Sequence, residues 1–236
     1  MWLLLTCACL RRPLETPIPR DSWPPPSDED LARLVVLLPG YIDDETLFRT
    51  HGFPVIAAGQ SEMTRGWQWV ALDAHVGYYQ AGQMPGRVQS EVLAEFPDVP
   101  VTVVGASFGG FGALFLARHV PERVDEVVLL APYLGRRALL KRLIDEGPAG
   151  YQPKNRREAE LVANWRFLLE AARQGRPKVT ILVGERDRLL PAIELLRSRA
   201  PSIKVETAPG GHKWRVWRAM FADYLSRRAE ESGVAP

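Results

Sequence analysis

The sequence predicts an α/β fold: a mostly parallel, doubly wound sheet of about six strands flanked by helices, with a small helical cap. Three observations predict it. From Leu31 onward short apolar runs alternate with helical stretches, which implies right-handed parallel crossovers. The runs are continuously apolar rather than alternating in polarity, as strands buried on both faces are. Finally, 236 residues with 46% hydrophobic and 25% charged side chains suit one globular domain with a proper core, and are too few for two.

Residues 1–30 stand apart from this pattern. Trp2 to Leu5 is an apolar stub without the charged region that opens a secretory signal, and Arg11 and Arg12 lie on its far side. An apolar stretch ending in Ala8-Cys9 resembles the tail of a bacterial lipoprotein signal, with Cys9 as the residue that would carry a lipid anchor. On that reading, with translation starting upstream, the chain is extracytoplasmic; with chance cysteines it is cytoplasmic. Cys7 and Cys9 are the only cysteines, so the body of the protein holds no disulfide. The stretch RRPLETPIPRDSWPPPSDED reads as an extended, proline-rich tether.

The elements follow in order. RLVVLL (33–38) is the first strand, closed by Pro39-Gly40. A long connection, residues 41–67, precedes QWVAL (68–72), and a helix with Val88, Val92 and Leu93 at helical spacing follows. VTVV (101–104) is the third strand, and FGALFLARH (111–119) is apolar enough to be a helix buried against the sheet. EVVLL (126–130), VTILV (179–183) and IKVET (203–207) complete the set. Between the fourth and fifth strands, residues 135–178 form a second long connection. Connections of that length are usually functional, and this one is read as a cap carrying Trp165, Phe167 and Leu168, residues that would equally serve as packing. Residues 192–199 and 214–227 are amphipathic helices, the last with Val216, Trp217, Met220, Phe221, Tyr224 and Leu225 inward.

Several function classes drop out. The net charge is +2, with no basic block interleaved with aromatics, so no nucleic-acid footprint is present. No apolar run is long enough to span a bilayer. The first strand ends in LLPGYIDD, which lacks the glycine-rich turn of a dinucleotide site.

The chemistry concentrates in Gly105-Ala106-Ser107-Phe108-Gly109-Gly110, set between strand and helix. A serine on so tight a turn adopts a strained backbone, and side chains two residues either side would collide, so glycine is required at both places. The turn aims Ser107 at a helix N-terminus, which favours negative charge. A neutral serine needs a base, and the base needs an orienting carboxylate. Of four histidines, His212 alone follows the last strand, in Pro209-Gly210-Gly211-His212. His119 closes a helix as a C-terminal cation, and His51 sits in the first long connection without a preceding strand. His75, just past a strand end, is a candidate substrate-binding residue. The acid belongs after the strand between Ser107 and His212. Asp187 is preferred there because Arg188-Leu189-Leu190-Pro191 starts the next helix, and Glu185 is the alternative. Candidate oxyanion donors are the backbone N–H groups of Phe108 and of Tyr41, the latter beside Gly40.

From about Leu31 to the end these residues resemble the α/β-hydrolase superfamily. LLPGY resembles its oxyanion loop, VVGASFGGFGALFLARH its nucleophile elbow and VGERDRLLP its acid loop. PGGHKWRVWRAMFADYL resembles the histidine loop of the esterase D and antigen-85-type esterases, which carry a Gly-His-x-Trp-x-x-Trp run. Lys213 departs from the acidic residue common there. The short lead into the first motif leaves little room for antiparallel strands, hence a reduced sheet. The resemblance implies hydrolysis of a small-molecule carboxylic ester or thioester, or acyl transfer, with no cofactor and no metal. Amide or C–C cleavage on the same triad, and a binding protein on a hydrolase scaffold, are the alternatives.

Overall fold

The computed structural model describes residues 12–23, 31–231 and 233. Cys9 and the signal-like stub lie outside the described residues. Seven strands form one sheet: β1 (Arg20–Trp23), β2 (Arg33–Leu38), β3 (Trp67–Leu72), β4 (Val101–Ala106), β5 (Val124–Leu130), β6 (Lys178–Gly184) and β7 (Lys204–Ala208). Their order across the sheet is β1-β3-β2-β4-β5-β6-β7. β1 runs antiparallel to β3, and every other pair is parallel. The helices are α1 (Thr46–Thr50), α2 (Phe53–Ala58), α3 (Ser61–Thr64), α4 (Val76–Gln80), α5 (Met84–Glu91), α6 (Phe108–His119), α7 (Arg137–Gly150), α8 (Arg156–Gln174), α9 (Leu190–Arg199) and α10 (Trp214–Glu231).

Six strands fall within two residues of their expected positions. β1 is the addition. It lies inside the stretch expected to be tether, and it brings the sheet to seven strands rather than about six. RDSW carries no apolar run because an edge strand is covered on one side only, and the sequence pattern had nothing to register. The segment leading into β1 is also fastened to the body. Ile18 is buried, and its N–H donates to Glu91 Oε2 at 2.7 Å.

Handedness places the helices. The β2-to-β3 connection steps one way along the sheet, whereas β3-to-β4, β4-to-β5, β5-to-β6 and β6-to-β7 step the other way. Right-handed crossovers therefore put α1–α3 on one face and α4–α9 on the opposite one. α10 joins α1–α3: Phe221 stacks on Phe53 and meets Trp69 of β3 edge-on. α8 is the crossover helix between β5 and β6. Its Trp165 and Leu168 are fully buried, and the Trp165 indole donates to Leu134 O at 2.8 Å. Its first two turns border the cavity described below, through Arg156, Arg157, Glu160 and Leu161.

The helices leaving β2 and β4 go to opposite faces, although these strands are neighbours. Their carboxyl ends thus flank a crevice, the place where open α/β sheets bind ligands.

Candidate active site

Ser107 sits at the β4 edge of this crevice with φ 54° and ψ −110°, a left-handed conformation that a residue with a Cβ rarely adopts. Hydrogen bonds hold it there. Its N–H donates to Leu130 O at 2.8 Å, and its carbonyl accepts from Tyr133 N at 2.8 Å and Gly110 N at 3.1 Å. The flanking glycines are required sterically. A Cβ on Gly105 would lie 2.3 Å from Gly109 O, and one on Gly109 would lie 2.0 Å from Leu38 O. The expected collision is real, and the second one is with the neighbouring strand.

His212 and Asp187 reach the same point from the loops after β7 and β6. His212 Nε2 lies 2.9 Å from Ser107 Oγ, and its Nδ1 lies 2.9 and 3.0 Å from the two oxygens of Asp187. A carboxylate only accepts, so Nδ1 carries the proton and Nε2 is left to accept from the serine hydroxyl. Asp187 has no exposed side-chain surface, and its Oδ1 also accepts from Leu189 N at 2.9 Å. The two loops are tied together where Arg186 N donates to Gly210 O at 2.7 Å. Gly210 has φ 136°, which a side chain would resist. The Trp217 ring meets the imidazole at 87° and 4.7 Å between centroids, fixing its tilt.

The loop after β2 closes the crevice. A Cβ on Gly40 would lie 3.9 Å from Ser107 Cβ, so the main chain passes directly over the serine. Phe108 is the first residue of α6, whose N–H has no partner within the helix. The rings of Tyr41 and Phe108 touch edge to face at 5.4 Å. Asp43 is a residue the sequence reading missed. Its Oδ2 accepts from the Trp214 indole at 3.1 Å and ties the β2 loop to the histidine loop. Nothing in the run Ile42-Asp43-Asp44 distinguishes it from solvated acids. The Gly-His-x-Trp motif marks Trp214 but not its partner.

The other candidates lie elsewhere. Glu185 is exposed, while Asp187 alone meets His212. His75, expected to bind substrate, is 3% exposed: Nδ1 accepts from Gly77 N as the N-cap of α4, and Nε2 lies 3.2 Å from Pro13 O. Both nitrogens serve the chain's own backbone, and the ring does not line the cavity. His51 stacks on Trp214 at 5.0 Å, and His119 is exposed at the end of α6. Among the described residues no group of three or more His, Cys, Asp or Glu could hold a metal ion, and no helix is long and apolar enough to cross a membrane.

A cavity of about 260 Å³ is lined by Phe108, the residue that follows Ser107, and by Tyr41, Tyr79, Phe111, Phe115 and Tyr133, with Arg156, Arg157 and Glu160 at its edge. A second cavity, about 270 Å³ and walled by Glu126, Lys204 and Arg228, lies at the amino ends of the strands, remote from Ser107.

Residues 78–227 match the family model described as a putative esterase, which covers well over half of the chain. No protein of curated function matches at the sequence level. Among solved structures, the chain is similar to Est1E from Butyrivibrio proteoclasticus: TM-score 0.62 and 15% identity over 92% of this chain and 96% of the other. It is similar to the S-formylglutathione hydrolase FrmB of Staphylococcus aureus, with TM-score 0.57 and 18% identity over 85% and 82%. The thioesterase domain from the curacin biosynthetic pathway gives TM-score 0.59 and 17% identity over 88% and 94%.

Proposed function

The chain belongs to the putative esterase family of α/β-hydrolases, enzymes acting on ester bonds, and we propose that it works through Ser107, His212 and Asp187 with an acyl-enzyme intermediate. The observation that carries this reading is the unbroken hydrogen-bonded chain from Ser107 Oγ through His212 to Asp187, with both links at 2.9 Å. Its polarity is the one that nucleophilic catalysis needs, because the proton on Nδ1 leaves Nε2 as the base.

In the first half-reaction Ser107 Oγ attacks the carbonyl carbon while its proton passes to His212 Nε2. The carbonyl oxygen becomes an oxyanion between the N–H groups of Phe108 and Tyr41. Such donors are worth roughly 2.7–4 kcal/mol each to the transition state. Asp187 stabilises the imidazolium, which then gives the proton to the departing alkoxide or thiolate. In the second half-reaction water loses a proton to Nε2, attacks the acyl carbon and returns Ser107 to its hydroxyl. The sum is ester plus water to acid plus alcohol or thiol. The two similar solved structures that carry hydrolase and thioesterase names support thioesters beside oxygen esters as substrates.

The test is steady-state hydrolysis of para-nitrophenyl acetate and of an acetyl thioester by wild type, Ser107→Ala and His212→Ala. Each variant is expected to lose at least ~10³-fold in kcat at near-wild-type melting temperature. Retention of most activity by Ser107→Ala would overturn the assignment.

A further inference from the structure

The walls of the cavity beside Ser107 come from residues already tied to the nucleophile. Phe108 follows it in the chain, Tyr133 N bonds its carbonyl, and Tyr41 follows the glycine that passes over it. This decides which half of a substrate enters. The leaving group must lie on the side of His212, which returns the proton to it. None of Asp187, Trp214 and Trp217, which surround His212, lines the cavity. The cavity therefore receives the acyl group.

Its shape and chemistry narrow the acyl group further. About 260 Å³ falls just below the usual range of ligand pockets, roughly 300–1,000 Å³, and admits little more than one ring on a short chain. The aromatic rings are set for contact with a ring. Phe108 stacks on Phe111 at 5.3 Å, and Tyr79 stands edge-on to Phe108 at 5.1 Å. Space for this wall is kept by Gly112, where a Cβ would lie 2.0 Å from the Tyr79 hydroxyl.

The edge of the cavity is charged in one sense. Glu160 is satisfied by Arg118 at 2.6 Å. Arg156 and Arg157 have no ion-pair or side-chain hydrogen-bond partner among the described residues. Both sit in the first turn of α8, where the helix dipole disfavours cations, and the Arg156 guanidinium lies against Gly82, where a Cβ would meet its Nη2 at 2.0 Å. We infer that this site, read as that of a serine hydrolase, selects esters whose acyl group is a short-chain aromatic acid ending in an anionic substituent, the ring held by Phe108, Phe111 and Tyr79 and the anion by Arg156 and Arg157.

The experiment compares kcat/KM for para-nitrophenyl esters of acetic, phenylpropanoic and para-carboxyphenylpropanoic acids, which share one leaving group. Wild type is expected to prefer phenylpropanoate to acetate by about tenfold or more, from the ring buried. It is expected to prefer the carboxylated ester to the plain one by about fivefold, the worth of a partly exposed charge-assisted contact. That last ratio should fall to about one in the Arg156→Gln/Arg157→Gln double variant, and should shrink in wild type as salt is raised. A fold defect would slow all three esters together and leave the ratio standing. Hydrolysis of all three without preference for the anionic ring, or a preference untouched by the double variant, overturns this inference and leaves the serine-hydrolase reading intact. Absence of Ser107-dependent hydrolysis of any of them removes both.

Discussion

Holding Ser107 at φ 54° costs on the order of 1–3 kcal/mol, which the three hydrogen bonds of its backbone and two glycines make sustainable. At this scale the sequence was most informative about residues that satisfy several requirements at once. Ser107 needed glycines two places away, a preceding strand and a following helix, and all four are visible in the chain. His212 and Asp187 followed from chain order and from lying after strands. Where one requirement alone was available the reading failed. His75 was placed by its position past a strand end, but the direction of a side chain at a helix N-cap is set by the turn, and it points to Gly77 N and Pro13 O. Asp187 carries a prediction of its own. In Asp187→Asn the amide donates to Nδ1, moves the ring proton to Nε2 and leaves no acceptor for the serine hydroxyl. kcat for para-nitrophenyl acetate is expected to fall about 10³–10⁴-fold with KM nearly unchanged. A loss below about tenfold would mean that Asp187 does not set the tautomer.

Burial made most strands legible, although β7, none of whose residues is buried, was read as well. β2, β4, β5 and β6 are buried nearly throughout and read as apolar runs. β1 is mostly solvent-facing and could not be read. The segment before it is held by polar contacts that leave no sequence period, chiefly Glu91, which binds Arg87 at 2.6 Å and Ile18 N at 2.7 Å. Burial pushes the Glu91 carboxyl upward, but the Arg87 guanidinium and the Ile18 amide together hold it below its ordinary 4.5. A carboxyl lowered on folding contributes stability above its unfolded value and loses it as pH falls through the folded one. The melting temperature of Glu91→Gln is thus expected to lie below that of wild type at pH 7, and the gap to close below about pH 4. A gap that stays constant across this range would show that the carboxylate does not fasten the segment.

Over the whole molecule, the two ends of the sheet do different work. At the amino ends a buried network ties the layers: Glu126, 4% exposed, accepts from Tyr224 at 2.6 Å and pairs with Arg228, while Arg33 grips Asp125 with two bonds. These contacts join β2, β5 and α10 behind the site. At the carboxyl ends the crevice between β2 and β4 gathers Ser107, the Gly40 loop and the aromatic cavity. That crevice was legible in principle, since right-handed crossovers and the strand order dictate it. The strand order itself was not, because parallel strands of similar composition carry no label for their neighbours.

In the proposed mechanism Ser107 is activated by His212. A fluorophosphonate phosphonylates an activated serine with loss of fluoride, irrespective of substrate, and peptide mass spectrometry then locates the adduct. One adduct on Ser107 in the folded protein, and none in His212→Ala, is the result expected. An unlabelled Ser107 in well-folded wild type, or labelling that persists in His212→Ala, would show that His212 does not activate Ser107.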